Sequence, residues 1–356
     1  MSQILAARGA LPEHRYAQED LTEAFADLIV TGDGLDRGLL RRFHANAGVT
    51  TRHTAYPIER YGELDGFTDA NTLFIDAAVE LGAQALTDAL KAAGLTPHDV
   101  DQIVCTTITG LAVPSLEARI AAVVGLRPDV KRVPIVGLGC VAGAAGIARV
   151  HDYLLGHPGD VAVLLSVELC SLTVQRGDTS VANLVASGLF GDGAGAVVLV
   201  GDEHPSAGDH AGRPRVLDSR SRLYPDTERA MGWDVGSTGL RIVLGAEVPD
   251  LVRTYVREDV DDFLADHDLT RDDVAWWVCH PGGPKVLEAM QDALEVDHRA
   301  LGVTWDSLDR IGNLSSASVL HVLADTLAGR TPEPGTYGIT MAMGPGFCAE
   351  LVLMRA

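Results

Sequence analysis

Basic residues are scarce in this chain: 28 Lys and Arg stand against 49 Asp and Glu, a net charge of −21. Nucleic acid and anionic membrane surfaces need a basic face on their partner, so both are excluded as partners. Any anionic substrate must meet a local basic patch. Cysteine is also sparse. The five thiols, at 105, 140, 170, 279 and 348, are odd in number and widely spaced, with no CxxC pair. That excludes a disulfide framework and a thiolate metal site, and fits a reducing cytoplasm. Long hydrophobic runs are missing too. The longest uncharged stretches, 133–148 and 334–349, are 16 residues each and are broken by Gly and Pro, too short to span a bilayer. The N-terminal "MSQILAARGALPEHRY" lacks the basic-then-apolar layout of a signal peptide. A cytoplasmic protein with no membrane span and no metal is the expectation.

Apolar residues are not short. At 47% hydrophobic and 22% charged, the 356 residues are ordinary for a globular protein and suffice for two core-forming units or one large α/β domain. The first hundred residues read as largely helical, with amphipathic patterns at 19–30, 36–48 and 71–95. "DQIVCTTITG" then reads as a buried strand, "LEARIAAVVGL" as a helix, "RVPIVGLG" as a strand, and "VAVLLSVEL" and "GAGAVVLVG" as two more. The polar, Gly/Pro-rich 201–215 is a surface connection. Beyond it the pattern predicts helices over 248–269, 285–294 and 316–329, a strand over 272–280 and a closing strand pair at 337–344 and 348–356. Strand–helix alternation on both sides of residue 201 implies two similar α/β halves, 1–200 and 201–356.

Three residues stand at loop apices. Cys140, in "VGLGCVAGAAG", follows a strand and starts a helix, where the positive helix end favours thiolate. The surrounding Gly and Ala let the helix pack closely and leave room above the sulfur. A buried structural Cys is the bland alternative. His280 ends the apolar "AWWVC" and begins a turn fixed by Pro281, Gly282, Gly283 and Pro284; a solvated turn histidine is its alternative. Asn313, in "RIGNLSSASVL", precedes a helical pattern and would serve as a cap. Together they supply a thiol, an imidazole and an amide, the set that cysteine acyl chemistry requires, with His pairing the thiolate and the Asn and His donors stabilising an oxyanion or enolate.

"GCVAGAAG", "GLFGDGAGAVVLV", "HPGGPKVLEAM", "GNLSSASVL" and "GPGFCAEL" occur in that order. In these the chain resembles the type III polyketide synthases, the chalcone-synthase-like enzymes, from about residue 10 to the end. The resemblance implies an α/β thiolase fold, two similar halves in a five-layered αβαβα arrangement, working as a homodimer. It makes 1–200 the half carrying the nucleophilic Cys140, and 201–356 the half carrying His280 and Asn313. It implies that Cys140 carries the starter and growing chain, that His280 holds the thiolate and helps decarboxylation, and that Asn313 binds the thioester oxygen with His280. Phe190 matches a gatekeeper between CoA tunnel and cavity, Thr173 a cavity-lining threonine, Ile242 a second gatekeeper, and Gly282 and Ser315 further substrate-contacting positions. Acyl-CoA and malonyl-CoA are then substrates, and no cofactor is required. "LLRRFHANAGVTTRH" offers Arg41, Arg42 and Arg52 as positive charge for the entrance. Arg42 matches a CoA-phosphate contact, and Asn46 replaces a lysine of the family.

Ile242 stands where the family has an aromatic, Val113 where a neighbouring subunit often lends a methionine, and Trp233 where the family has glycine. Ala342 and Met343 replace glycine and phenylalanine in the closing loop. Aliphatic surface in place of aromatic bulk favours an aliphatic starter. The expectation is therefore a bacterial-type enzyme extending a fatty acyl-CoA with malonyl-CoA or methylmalonyl-CoA to an alkylresorcinol or alkylpyrone. The alternatives are an initiating ketoacyl synthase that condenses once, a non-condensing acyltransferase, and a catalytically silent dimer that only binds CoA esters.

Overall fold

The computed structural model describes residues 1–30, 37–208 and 213–356; parts of the 36–48 helix pattern and of the 201–215 connection lie outside them. In chain order the first part contains β1 (Ser2–Ala10), β2 (His14–Ala17), α1 (Gln18–Ile29), α2 (Arg37–Ala45), β3 (Thr51–Thr54), α3 (Gly66–Ala93), β4 (Gln102–Thr107), α4 (Leu116–Val124), β5 (Lys131–Val136), α5 (Ala142–Gly156), β6 (Val161–Leu169), α6 (Val181–Leu189) and β7 (Asp192–Gly201). The second part contains β8 (Arg215–Leu223), β9 (Met231–Gly236), β10 (Gly239–Leu244), α7 (Val248–Ala265), β11 (Val274–Cys279), α8 (Pro284–Leu294), α9 (Gly302–Ile311), α10 (Ser318–Gly329), β12 (Tyr337–Gly344) and β13 (Cys348–Arg355).

The strands lie in the order β11-β12-β13-β8-β1-β7-β6-β4-β5. β1 and β8 meet over only Ser2↔Val216 and Gln3↔Arg215, so this seam joins two sheets that repeat one pattern. In β4-β6-β7-β1 the pairings run parallel, antiparallel, antiparallel. In β11-β12-β13-β8 they run the same way. α5 and α10 are held between the sheets, sharing a core with Leu164 of β6, Val278 of β11 and Val352 of β13. α3 covers the outer face of the first sheet and α7 and α8 that of the second. This is the five-layered αβαβα arrangement of the thiolase fold.

Local chemistry explains these elements. β6 is buried along its whole length, because helices cover both faces, and so it reads as an unbroken apolar run. α3 buries Phe74, Ala78, Leu81, Ala85 and Ala89 in one stripe and ends at Gly94, whose φ of 75° a side chain would strain. The expectation that the first hundred residues are largely helical is corrected by β1, which lies at the centre of the joined sheets, and by the small β2–β3 ribbon. β1 reads "SQILAARGA". It lacks β-branched residues apart from Ile4, so propensity hides it, and burial between α3 and α10 makes it a strand. The β9–β10 hairpin was likewise not legible.

Candidate active site

β5 delivers the chain to a 3-10 turn, Gly139–Val141, that runs into the N-terminus of α5. Cys140 stands in that turn, half-buried. Its Sγ donates to Ser315 Oγ at 3.6 Å. Ser315 is held at φ 48°, a left-handed conformation that costs a serine energy and is kept only where neighbours enforce it. The enforcing bonds are visible. The Ser315 N–H donates to Asn313 Oδ1 at 2.8 Å, and the Ser316 hydroxyl donates to Glu168 Oε1 at 2.5 Å. Ser318 Oγ also reaches Asn313 Oδ1, at 3.5 Å. With Oδ1 engaged as acceptor, the part of the Asn313 amide left to act on a ligand is its NH2 donor.

His280 stands at the C-terminal end of β11, its N–H bonded to the Met341 carbonyl at 2.9 Å. Further along β12, Gly344 packs so closely on the Cys140 turn that a Cβ there would lie 2.7 Å from the Leu138 carbonyl oxygen. The imidazole is 3% exposed, and its Nδ1 is buried without a hydrogen-bond partner among the described residues. Burial pushes the Cys140 thiol up to about 12 and the His280 imidazole down to about 3. Both shifts have the same cause: burial disfavours the charged form of each group taken singly.

Phe190 is tied to the same place. Asn313 N–H donates to the Leu189 carbonyl at 2.9 Å and Gly191 N–H to the Asn313 carbonyl at 3.0 Å, so Phe190 and Asn313 pair as a one-residue parallel bridge. Gly283 of the HPGGP turn lies against Leu189, and Gly282 against the His280 ring. Phe190, Thr173, Ile242, Trp233 and Cys170 line one small cavity of about 10 Å³. Trp233 and Ile242 are directly opposed across the hairpin. A larger cavity of about 540 Å³ shares Ser171, Thr173 and Val174 with the small one. None of Cys140, His280 and Asn313 lines it.

The entrance charges separate. Arg41 is exposed and paired with Glu23, and Arg42 and Asn46 are exposed at the end of α2. Arg52 is 1% exposed, and is corrected from entrance charge to buried residue. Two buried carboxylates were missed. Glu168 accepts from Ile108 N–H and Thr109 Oγ1 as well as Ser316, and burial raises its pKa. Asp192 accepts from Ser171 and Ala55, and burial pushes it up to about 6. Their signal was a lone acid in an otherwise apolar or glycine-rich strand, "VAVLLSVEL" and "FGDGAG".

The family model for the N-terminal domain of chalcone and stilbene synthases matches residues 1–203, and that for the C-terminal domain matches 216–356. A 1,3,6,8-tetrahydroxynaphthalene synthase of Streptomyces peucetius subsp. caesius is 58% identical over 99% of this chain and 92% of its own length. A 3,5-dihydroxyphenylacetyl-CoA synthase of Streptomyces toyocaensis is 30% identical over 99% of this chain and 89% of its own. The crystal structure of the 1,3,6,8-tetrahydroxynaphthalene synthase of Streptomyces coelicolor, a bacterial type III polyketide synthase, superposes with a TM-score of 0.91 at 31% identity, covering 99% of each chain. The chain belongs to the chalcone and stilbene synthase family and is a type III polyketide synthase, an acyltransferase that works by decarboxylating condensation of CoA thioesters.

Proposed function

We propose that this chain starts from malonyl-CoA and extends with malonyl-CoA to give a fused aromatic polyketide. Repeated two-carbon extension and ring closure would give a naphthalene oxygenated at alternate positions, the product named for its 58%-identical relative. The observation that carries the choice of a small starter is Trp233, whose indole faces Ile242 beside Phe190 and leaves a cavity of only about 10 Å³, room for one water.

In this reading the Cys140 thiol passes its proton to the His280 imidazole as sulfur attacks the starter thioester, and the proton leaves with CoA. The Asn313 NH2 and the His280 N–H then hold the thioester oxygen of the extender. Carbon dioxide leaves, its bonding electrons enter the enolate, and the enolate carbon attacks the acyl-Cys140 carbonyl and expels the thiolate. Arg42 meets the CoA phosphates, Thr173, Gly282 and Ser315 contact the acyl part, and no cofactor takes part. The partner is a second copy of this chain. Every residue of the edge strand β5 is exposed or half-buried, Val136 is 54% exposed and Val113 is 95% exposed, which is apolar surface that a partner would cover.

The test is malonyl-CoA alone, followed by product mass. An aromatic product without added starter supports the proposal; a single-extension product supports the ketoacyl synthase alternative. A second reading, a fatty acyl starter, is favoured by the 540 Å³ cavity beside Thr173. Product formed only when a long acyl-CoA is added would establish it and overturn the first.

A further inference from the structure

Arg52, on β3, reaches into the floor of the site from behind. Its Nε donates to Gln18 Oε1 at 2.9 Å. Its Nη1 donates to the Ser187 and Phe190 carbonyls, each at 2.7 Å. Its stem lies against Gly312, where a Cβ would be 3.2 Å from Cγ and Cδ and where φ is 72°. Gln18, on α1, completes the hub by donating to the Gly188 carbonyl at 2.7 Å and the His44 carbonyl at 3.3 Å. One planar fork thus grips the C-terminal end of α6 and the Phe190 carbonyl, while its stem props the residue before Asn313. Phe190 and Asn313 are the two residues that bridge each other.

Burial lowers the guanidinium to about 9, with the opposing influence of Asp192, so it stays cationic at neutral pH. A buried cation is costly unless its hydrogen bonds are met, and Nη2 has no partner among the described residues. A hydrophobic residue would fill the space at lower cost. What it would not supply is the Nη1 donor pair, one bond to the Ser187 carbonyl and one to the Phe190 carbonyl, held in a fixed plane.

We propose that Arg52 is a positioning residue for malonyl decarboxylation and chain extension, acting by fixing Phe190 and the Asn313 amide relative to Cys140. It rests on the reading above that Asn313 holds the extender's thioester oxygen. The test compares Arg52→Lys, Asn313→Ala and the double variant in the full-length chain. Malonyl-CoA decarboxylation, product mass profile, thermal unfolding and iodoacetamide labelling of Cys140 are measured for each.

For Arg52→Lys the expected result is Cys140 labelling within about threefold of wild type, kcat for decarboxylation lower by about tenfold or more with KM little changed, and shorter products. In the Asn313→Ala background the same change should cost less than about threefold, because the residue it acts through is gone. A wild-type kcat and product profile in Arg52→Lys, or an undiminished loss in the Asn313→Ala background, would overturn the proposal. Full activity of Asn313→Ala would overturn the reading of Asn313 itself, and that single variant tells the two failures apart. Should Arg52→Lys not fold, Gln18→Met removes the Nε acceptor that fixes the plane of the guanidinium, so the Nη1 donors lose their aim at the Ser187 and Phe190 carbonyls. It should lower kcat in the same direction with labelling unchanged, and wild-type kcat there would overturn the proposal.

Discussion

Trp233→Ala tests how the acyl cavity limits its starter. The indole opposes Ile242 across β9–β10 and shares with Phe190, Thr173 and Cys170 a space of about 10 Å³. Removing it opens room on the scale of an aromatic ring, which typically buries 150–250 Å². A hexanoyl starter carries four more methylenes than acetyl; at about 0.8 kcal/mol each, full burial is worth roughly 3 kcal/mol. That is on the order of two-hundredfold in relative kcat/KM, and half-efficient packing would still leave more than about tenfold. The variant should also lose stability. Full burial of a tryptophan would put the cost at 3–5 kcal/mol, and the half-buried position of Trp233 about halves it. The assay is competition between acetyl-CoA and hexanoyl-CoA with malonyl-CoA as extender, scored by product mass, at a temperature well below unfolding. Wild type should show no gain with chain length. An unchanged hexanoyl-to-acetyl ratio in Trp233→Ala, or a wild type that already prefers hexanoyl, would refute the idea that this indole sets the starter.

Other consequences are as direct. His280→Gln should slow iodoacetamide labelling of Cys140 at pH 7 by about tenfold or more, since burial alone holds the thiol up to about 12 and the ring is the base this reading assigns to it; unchanged labelling would remove His280 from that role. Gly143→Ala would put a Cβ 2.3 Å from the Ser316 carbonyl oxygen; urea unfolding should show a loss of about 1–3 kcal/mol, with a larger loss of activity because the Ser315 turn moves. Asp192 is held by burial at about 6 against an ordinary 3.8. A carboxyl raised on folding favours the native state below its unfolded value, and that contribution is lost as pH rises through about 6. It amounts to roughly 3 kcal/mol. Asp192→Asn should therefore flatten the stability slope between about pH 4 and pH 6, and a slope equal to wild type there would show that Asp192 does not carry it.

Periodicity made the long amphipathic α3 and the fully buried β6 legible, because each carries its burial in its residue order. β1 was not, since its alanines and glycine say nothing until α3 and α10 cover it. The order of Cys140, His280 and Asn313 was legible through short motifs. The hub beneath them was not. Arg52 reads in sequence as one more surface cation beside Arg41 and Arg42, and only the carbonyls of Ser187 and Phe190, more than a hundred residues away, give it a buried place. Long-range partners of this kind leave no local pattern.

The small residues around Cys140 act in the fold through close packing. They were expected both to let the helix pack closely and to leave room above the sulfur. In the fold they bring surfaces together. Gly143 lets α5 touch the Ser316 carbonyl, Gly146 lets it lie on Leu164 of β6, and Gly139 takes a φ of 54° against Pro345. Larger side chains at 143 and 146 would push α5 away from the second half of the molecule and from the sheet beneath it. Cys140 rides at the start of α5 and Ser315 at the turn that Gly143 abuts. The 3.6 Å contact between them therefore depends on that absence of side chain. Ser315 in turn donates its N–H to Asn313 Oδ1, so the thiol is linked to the Asn313 amide through Ser315. The glycines bring the Cys140 turn and the Ser315 turn together from distant parts of the chain, and Phe190, Trp233 and Ile242 line a small cavity that Cys140 does not reach.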